Sequence, residues 1–392
     1  MAHWLWRTGY GALAMAHWLA RTGWRAAGRA GWALELAGHA GWGVDRVRPS
    51  ASARSRASAL CLLPGHSAFP AAGYTIAGRT TRRMDASPMA TIKKQDLVDS
   101  IAASLQFISY YHPADFIAHL ARAYQIERSP AARDAIEQIL TNSRMSATGH
   151  RPMCQDTGIV NVFLEVGMDV RWSGFAGSVE DAVNEGVSRG YLDPDNVLRA
   201  SVVADPQFAR KNTRDNTPAV IHTRLVPGGE LAVTVAAKGG GSENKSKFVM
   251  LNPSDSLTDW VLKTVPTMGA GWCPPGILGI GIGGTAEKAM LIAKEVLMDP
   301  LDMTELKARG PKDAVEELRI ELYDKVNALG IGAQGLGGLT TVLDVKIAMY
   351  PTHAASKPVA MIPNCAATRH AHFVLDGSGP AYCEPPSLDL WP

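Results

Sequence analysis

What this chain lacks narrows it first. No run of 18 apolar residues occurs in its 392 residues, so no membrane-spanning helix is expected. Cysteine is scarce: Cys61, Cys154, Cys273, Cys365 and Cys383 are odd in number and widely spaced. That argues against a disulfide framework and for a reducing compartment, the cytoplasm. An excess of one charge is also missing, with 39 basic and 37 acidic residues and a net charge of +2, so nothing overall argues for a nucleic-acid partner. With 46% hydrophobic and 19% charged residues, the composition fits a globular enzyme. The length leaves room for two domains or one large one.

Lysine is absent from residues 1–92, which carry eleven Arg and three acids, leaving the remainder at a net charge of −6. Residues 1–88 also repeat themselves: Met1-Ala2-His3-Trp4-Leu5 returns as Met15-Ala16-His17-Trp18-Leu19, and six of the ten Trp precede residue 43. Neither a 3.6 nor a 2.0 apolar period is sustained there. This stretch reads as a disordered extension outside any folded domain. A transit-type targeting segment, Arg-rich and acid-poor, and a binding arm are the rival readings. Order is expected from about Met89.

From there helical and strand patterns alternate loosely, which predicts a mixed α/β (α+β) domain over residues 89–376, with helices around mixed sheets and a ligand cleft. Helices are expected over Ile92–Tyr111, Ala114–Gln125, Pro130–Asn142, Val179–Gly190, Thr285–Met298 and Lys312–Leu329. Strands are expected over Ile159–Val166, Ser201–Ala204, Thr341–Met349 and Pro358–Ile362. Ala219–Val226 and Leu231–Ala237 read as a hairpin closed by Pro227-Gly228-Gly229-Glu230. Residues 377–392, with Gly377-Ser378-Gly379-Pro380 and Glu384-Pro385-Pro386, read as a linker toward a further domain.

The chain is organised around Cys154-Gln155-Asp156-Thr157-Gly158, where a thiol, an amide, a carboxyl and a hydroxyl stand ahead of a strand. Cys273 and Cys365 occupy Gly- or Pro-containing loops of similar make, 119 and 92 residues further on in turn. Three thiolates meeting in space can hold an iron–sulfur cluster, and three Cys plus a His can hold zinc. Equally, a free Cys is commonly a small buried hydrophobe. Gly279-Ile280-Gly281-Ile282-Gly283-Gly284 matches a dinucleotide fingerprint, but Asp299 follows the next helix directly, so the strand–helix–strand context fails. The loop from Lys238 to Ser246 is better placed for an anion, with amides, two ammonium groups and hydroxyls. His353 ends a strand where proton transfer is feasible, though a lone His is more often a surface or core residue. Arg189 ends a helix and serves its dipole equally well, and Asp156 can simply cap a turn.

Six stretches together carry a resemblance: Cys154 to Gly158, Arg214 to Ala219, Lys238 to Ser246, Gly271 to Gly276, Gly330 to Gly338, and Pro351 to His353 with Cys365. From about Met89 onward the chain resembles the class I, iron–sulfur-dependent fumarate hydratases; the α subunits of L-tartrate dehydratase share the pattern. The resemblance implies a [4Fe-4S] cluster ligated by Cys154, Cys273 and Cys365, acting as Lewis acid in the reversible hydration of fumarate to (S)-malate, a step of the tricarboxylic acid cycle. It implies that Asp156 and His353 handle the proton. Gln155, Arg189 and amides at Gly239 and Gly240 would hold the dicarboxylate. Family members also carry a C-terminal domain, so this chain is expected to have little activity alone. Its expected partners are a small dicarboxylate and either a second copy, a C-terminal domain or a β subunit. The alternatives are the α subunit of a two-subunit tartrate dehydratase and a non-enzymatic iron–sulfur module.

Overall fold

The structure, a computed structural model, describes residues 89–391; the expectations for residues 1–88 lie outside the described residues. After a short strand β1 (Thr91–Lys93), helix α1 (Lys94–Tyr110) forms where the sequence places it. Leu97, Ile101, Leu105 and Ile108 recur at helical spacing and are all buried, each stabilising the fold by about 1.5–3 kcal/mol. Tyr111 leaves the helix in an extended conformation ahead of His112-Pro113, as a residue near a proline does. Helix α2 (Ala114–Ile126) follows, then α3 (Pro130–Gly149) with proline in its first turn. α3 runs seven residues past the expected end at Asn142. Ser143, Ser146 and Ala147 extend its buried face with residues too small and polar to register as an apolar period.

Next come β2 (Ile159–Gly167), β3 (Arg171–Ser173) and α4 (Val179–Tyr191), the last opened by a capping box between Ser178 and Asp181. β4 (Val220–Val226), β5 (Leu231–Lys238), the single turn α5 (Gly240–Glu243), β6 (Lys247–Leu251) and α6 (Leu257–Thr264) lead through a 3-10 segment, Val265–Trp272, into β7 (Gly276–Gly283). Then come α7 (Ala286–Glu295), α8 (Met303–Arg309), α9 (Ala314–Ala328), β8 (Val342–Tyr350), β9 (Lys357–Asn364) and β10 (His370–Leu375), and a 3-10 turn, Leu388–Leu390, lies near the end of the described residues.

The strands build two four-stranded sheets, ordered β10-β5-β2-β4 and β6-β9-β7-β8, each mixing parallel and antiparallel pairs, and a two-stranded parallel sheet of β1 and β3. α1 and α4 cover the first sheet through Leu97, Ile101, Val160, Val162, Val183 and Val233. α7 packs on the second, while Leu257, Val261, Trp272, Leu322 and Val326 join a core with β7, β8 and β9. The mixed α/β expectation holds.

Two local expectations fail. β4 and β5 do not form a hairpin: β2 lies between them, parallel to β4 and antiparallel to β5. The Pro227–Glu230 turn wraps the end of β2, where Gly167 N donates to Glu230 O at 2.9 Å and Asp169 N to Gly228 O at 2.9 Å. A tight turn reports its own geometry, not which strand fills the space between its arms. Ser201–Ala204 forms only an isolated bridge, Val203 to Asn212. As for the glycine-rich run, Gly279 and Gly281 lie within β7, where a Cβ would come within 2.2 Å of Ala293 O and 2.1 Å of Ala289 O. Their job is to let α7 lie close on the strand, not to cradle a dinucleotide.

Candidate active site

One end of each sheet contributes to a common region. The loop 154–158 enters β2 there, beside the end of β5, since Ile159 pairs with Lys238. Gly158 has φ +83°, and a Cβ would meet the Ala237 and Lys238 backbone at 2.8–2.9 Å, so only glycine permits this approach. The loop is braced from behind: Tyr191 OH donates to Thr157 O at 3.0 Å and Asn216 Nδ2 to Gly158 O at 3.0 Å. Burial pushes the Tyr191 hydroxyl up to about 12. Asn216, fully buried, also accepts from Ser201 N at 2.7 Å through Oδ1. Through Asn216 the Arg214–Ala219 stretch thus braces this loop.

Asp156 is held tightly. Oδ1 accepts from Gly158 N at 2.9 Å and Oδ2 from Gly240 N at 2.7 Å, while its carbonyl accepts from Arg369 Nη1 at 2.6 Å. Arg369 enters β10, with its own carbonyl paired to Ala237 N at 3.0 Å. Its side chain is buried, and Nε and Nη2 have no hydrogen-bond partner. Lys238, also buried, donates to Ser242 Oγ at 2.5 Å and lies 3.7 Å from Glu243 Oε2. Lys294 bonds the other Glu243 oxygen. Burial lowers the Lys238 ammonium to about 8 against the attraction of Glu243.

Cys273 follows the 3-10 segment with φ 56°, in the left-handed region. Its carbonyl accepts from Ala366 N at 3.0 Å, which ties its loop to that of Cys365. On the other side Ala366 O faces His112 Nε2 at 2.9 Å, and His112 Nδ1 meets Ser143 Oγ at 2.8 Å. Complete burial lowers the His112 imidazole to about 4.

The predicted site residues fall into two groups. Cys154, Gln155, Asp156, Gly239, Gly240, Cys273 and Cys365 lie on the loops just described. Gln155 is exposed, its Oε1 facing Cys154 Sγ at 3.5 Å. His353 and Arg189 lie elsewhere. β7 and β8 run parallel from Gly276 and Val342 to Gly283 and Tyr350, so His353 follows the end of the sheet remote from Cys273. Seven strand steps of about 3.3 Å, roughly 23 Å, separate those ends. There His353 Nδ1 accepts from Ala355 N at 3.1 Å. Arg189 is half exposed and pairs with Asp99 of α1 at 2.7 Å. Arg369 and His112 were missed: the one signal for Arg369 was its place four residues after Cys365, and His112 read only as a helix stop.

Fold and geometry together define a mixed α/β protein in which Asp156, Lys238 and Arg369 come together where one end of each sheet meets the other. The profile of the family "Fumarate hydratase (Fumerase)" matches residues 98–374, and the chain belongs to that family. It is similar to the "Putative L(+)-tartrate dehydratase subunit alpha" of Methanocaldococcus jannaschii, 34% identical over 279 residues that cover 70% of this chain and 95% of that protein. It is 31% identical over 298 residues to "Fumarate hydratase class I, anaerobic" of Escherichia coli, covering 72% of this chain and 53% of that one. With "Fumarate hydratase class I, aerobic" of Salmonella typhimurium the identity is 33% over 285 residues, 69% of this chain and 48% of the relative. The chain therefore spans about half the length of these two hydratases.

The cofactor expectation is overturned. Among the described residues, no group of three or more His, Cys, Asp or Glu is placed to hold a metal ion. Cys154, Cys273 and Cys365 do share one end of the molecule, and Cys273 feels the charge of both others. Burial first, then Cys365 and Cys154, push the Cys273 thiol up. Cys154 directs its thiol to Gln155. The donor set does not fit a [4Fe-4S] cluster or zinc, so the cluster-driven hydration and the iron–sulfur-module readings are withdrawn with it. The family supports a lyase reaction. Among the described residues no helix is long and apolar enough to cross a membrane.

Proposed function

We propose that this chain acts in a carbon–oxygen lyase that moves water on or off a small hydroxy-dicarboxylic acid, interconverting fumarate and malate. The observation that carries the reading is Asp156: a carboxyl fixed by the Gly158 and Gly240 amides, at the edge of a region bearing Lys238, Lys294 and Arg369. Cations attract the dicarboxylate, and a rigid carboxyl beside it can accept or return a proton. In the hydration direction, the oxygen of water bonds one alkene carbon and a proton the other, so one water is consumed per hydroxy acid formed.

A second reading, dehydration of tartrate by an alpha subunit, is favoured by the 95% coverage of the tartrate dehydratase relative. Both readings include a partner, a β-type chain or domain or a second copy, that completes the site. The free Cys154, Cys273, Cys365 and Cys383 support a cytoplasmic setting. The test is turnover of fumarate, (S)-malate and L-tartrate by the purified full chain, alone and mixed with a β-type subunit from a relative. Turnover of fumarate supports the first reading and turnover of tartrate alone the second. No turnover with either addition rejects both.

A further inference from the structure

Arg369 carries an unspent recognition surface. Nη1 is committed to Asp156 O at 2.6 Å, but Nε and Nη2 are buried without a partner on a residue only 3% exposed. Those two nitrogens form one edge of the guanidinium, with parallel N–H bonds spaced to meet the two oxygens of a carboxylate. Two unmet donors on a buried cation are costly, so such an arrangement needs a function or a ligand to explain it.

Gly239 points to the same place. Its φ of −64° and ψ of 140° suit any residue, so its backbone does not require glycine. Nor does crowding: a Cβ there would meet nothing nearer than Asp156 Oδ2 at 3.4 Å and Arg369 Nη2 at 3.5 Å, ordinary contact distances. What a methyl group would do is fill the space between the Asp156 carboxyl and the Arg369 guanidinium. The charge count agrees. Lys238, Lys294 and Arg369 stand against Asp156 and Glu243, which leaves one positive charge for an anion.

We propose that the Nε–Nη2 edge of Arg369 binds a carboxylate of the hydroxy-acid substrate where Gly239 passes between it and Asp156. The proposal rests on the lyase reading and adds a binding residue to it. It gives Arg369 two tasks: one nitrogen fixes the Asp156 loop, and the other two orient the substrate against it.

Titration calorimetry of the full chain with L-tartrate and with (S)-malate tests it, on wild type, Arg369→Lys and Gly239→Ala. Lysine keeps the charge and loses the fork; alanine keeps Arg369 and fills the space. Both variants should bind about tenfold to a hundredfold more weakly, the effect of losing a charge-assisted pair of hydrogen bonds. Thermal melting checks that each is folded, and should Arg369→Lys fail to fold, Gly239→Ala decides alone. Wild-type affinity in Gly239→Ala and in folded Arg369→Lys overturns the proposal and leaves the lyase reading standing. Absence of carboxylate binding by wild type overturns it as well, whatever the turnover. Binding that the variants lose, in a chain that turns over no acid with any partner, sustains the carboxylate site and rejects the lyase reading instead.

Discussion

Two charge clusters with buried members in this protein invite comparison. One joins Arg319 of α9 and Asp344 and Lys346 of β8 to Asp302, just before α8. Asp344 pairs with Arg319 at 3.1 Å and with Lys346 at 3.1 Å, and Asp302 bonds both cations, lying 2.5 Å from Lys346. Arg319 spends Nε on Val345 O at 2.8 Å, and Asp302 N donates to Asp344 Oδ2 at 2.9 Å. Two positive charges meet two negative ones. The other cluster, around Arg369, Lys238 and Asp156, has a surplus cation and two unmet Arg369 donors. Both clusters bear the desolvation cost of buried charge. The first recovers it entirely inside the protein and serves the fold. The second does not, and that difference is what the proposed carboxylate site rests on.

Substitutions sharpen that contrast. The largest effect is expected for Asp156→Asn, which removes the proton-accepting carboxyl: turnover should fall about 10²–10⁴-fold, measured as initial rates beside dicarboxylate affinity. A rate within threefold of wild type would remove Asp156 from the chemistry. In the closed cluster, Asp344→Asn leaves Arg319 and Lys346 with only Asp302, and should cost about 3–5 kcal/mol in urea unfolding, with no change in substrate affinity. A loss under about 1 kcal/mol would mean the cluster is not the structural element described.

Acid should act next, through His112. Its pKa is about 4 in the fold against 6.5 for an ordinary histidine, so the unfolded chain binds the proton first. Its contribution is fully present above about pH 6.5 and is lost as pH falls toward 4, on the order of 3 kcal/mol in all. His370, lowered to about 3 by burial first and His372 second, adds in the same direction. Unfolding free energies for wild type and His112→Gln across that window check this, and equal slopes would discard it. The smallest change belongs to Arg189→Ala, which breaks a surface pair with Asp99 and should cost about 0.2–1 kcal/mol. If it also weakened tartrate or malate binding more than about tenfold, Arg189 would return to the site as the family resemblance implies.

Much of the frame was legible. α1, α2 and α4 stand where the 3.6-residue period, the Pro113 stop and the Ser178 cap place them, because those signals act within one or two turns of chain. The contact between the Cys154–Gly158 loop and the Gly239–Gly240 turn, where Gly240 N donates to Asp156, joins two stretches that the sequence singles out. The metal was not: three cysteines in similar loops say nothing about whether they assemble as ligands, and among the described residues no group of three or more His, Cys, Asp or Glu is placed to hold a metal ion. The pairing of Asp156 with His353 was equally beyond reach, since β7 carries the two ends of its sheet apart. Arg369 was invisible because a buried arginine and an exposed one are written with the same letter.

The sequence by itself determined the family, most helices, the mixed α/β class and the loop that carries Asp156, since each rests on short-range pattern or on motifs read residue by residue. Only the tertiary structure decided that β2 divides β4 from β5, that His353 stands away from the acid, and that Arg369 keeps two donors free. Those outcomes depend on which distant segments exclude water from one another, and partnership across 200 residues leaves no local trace.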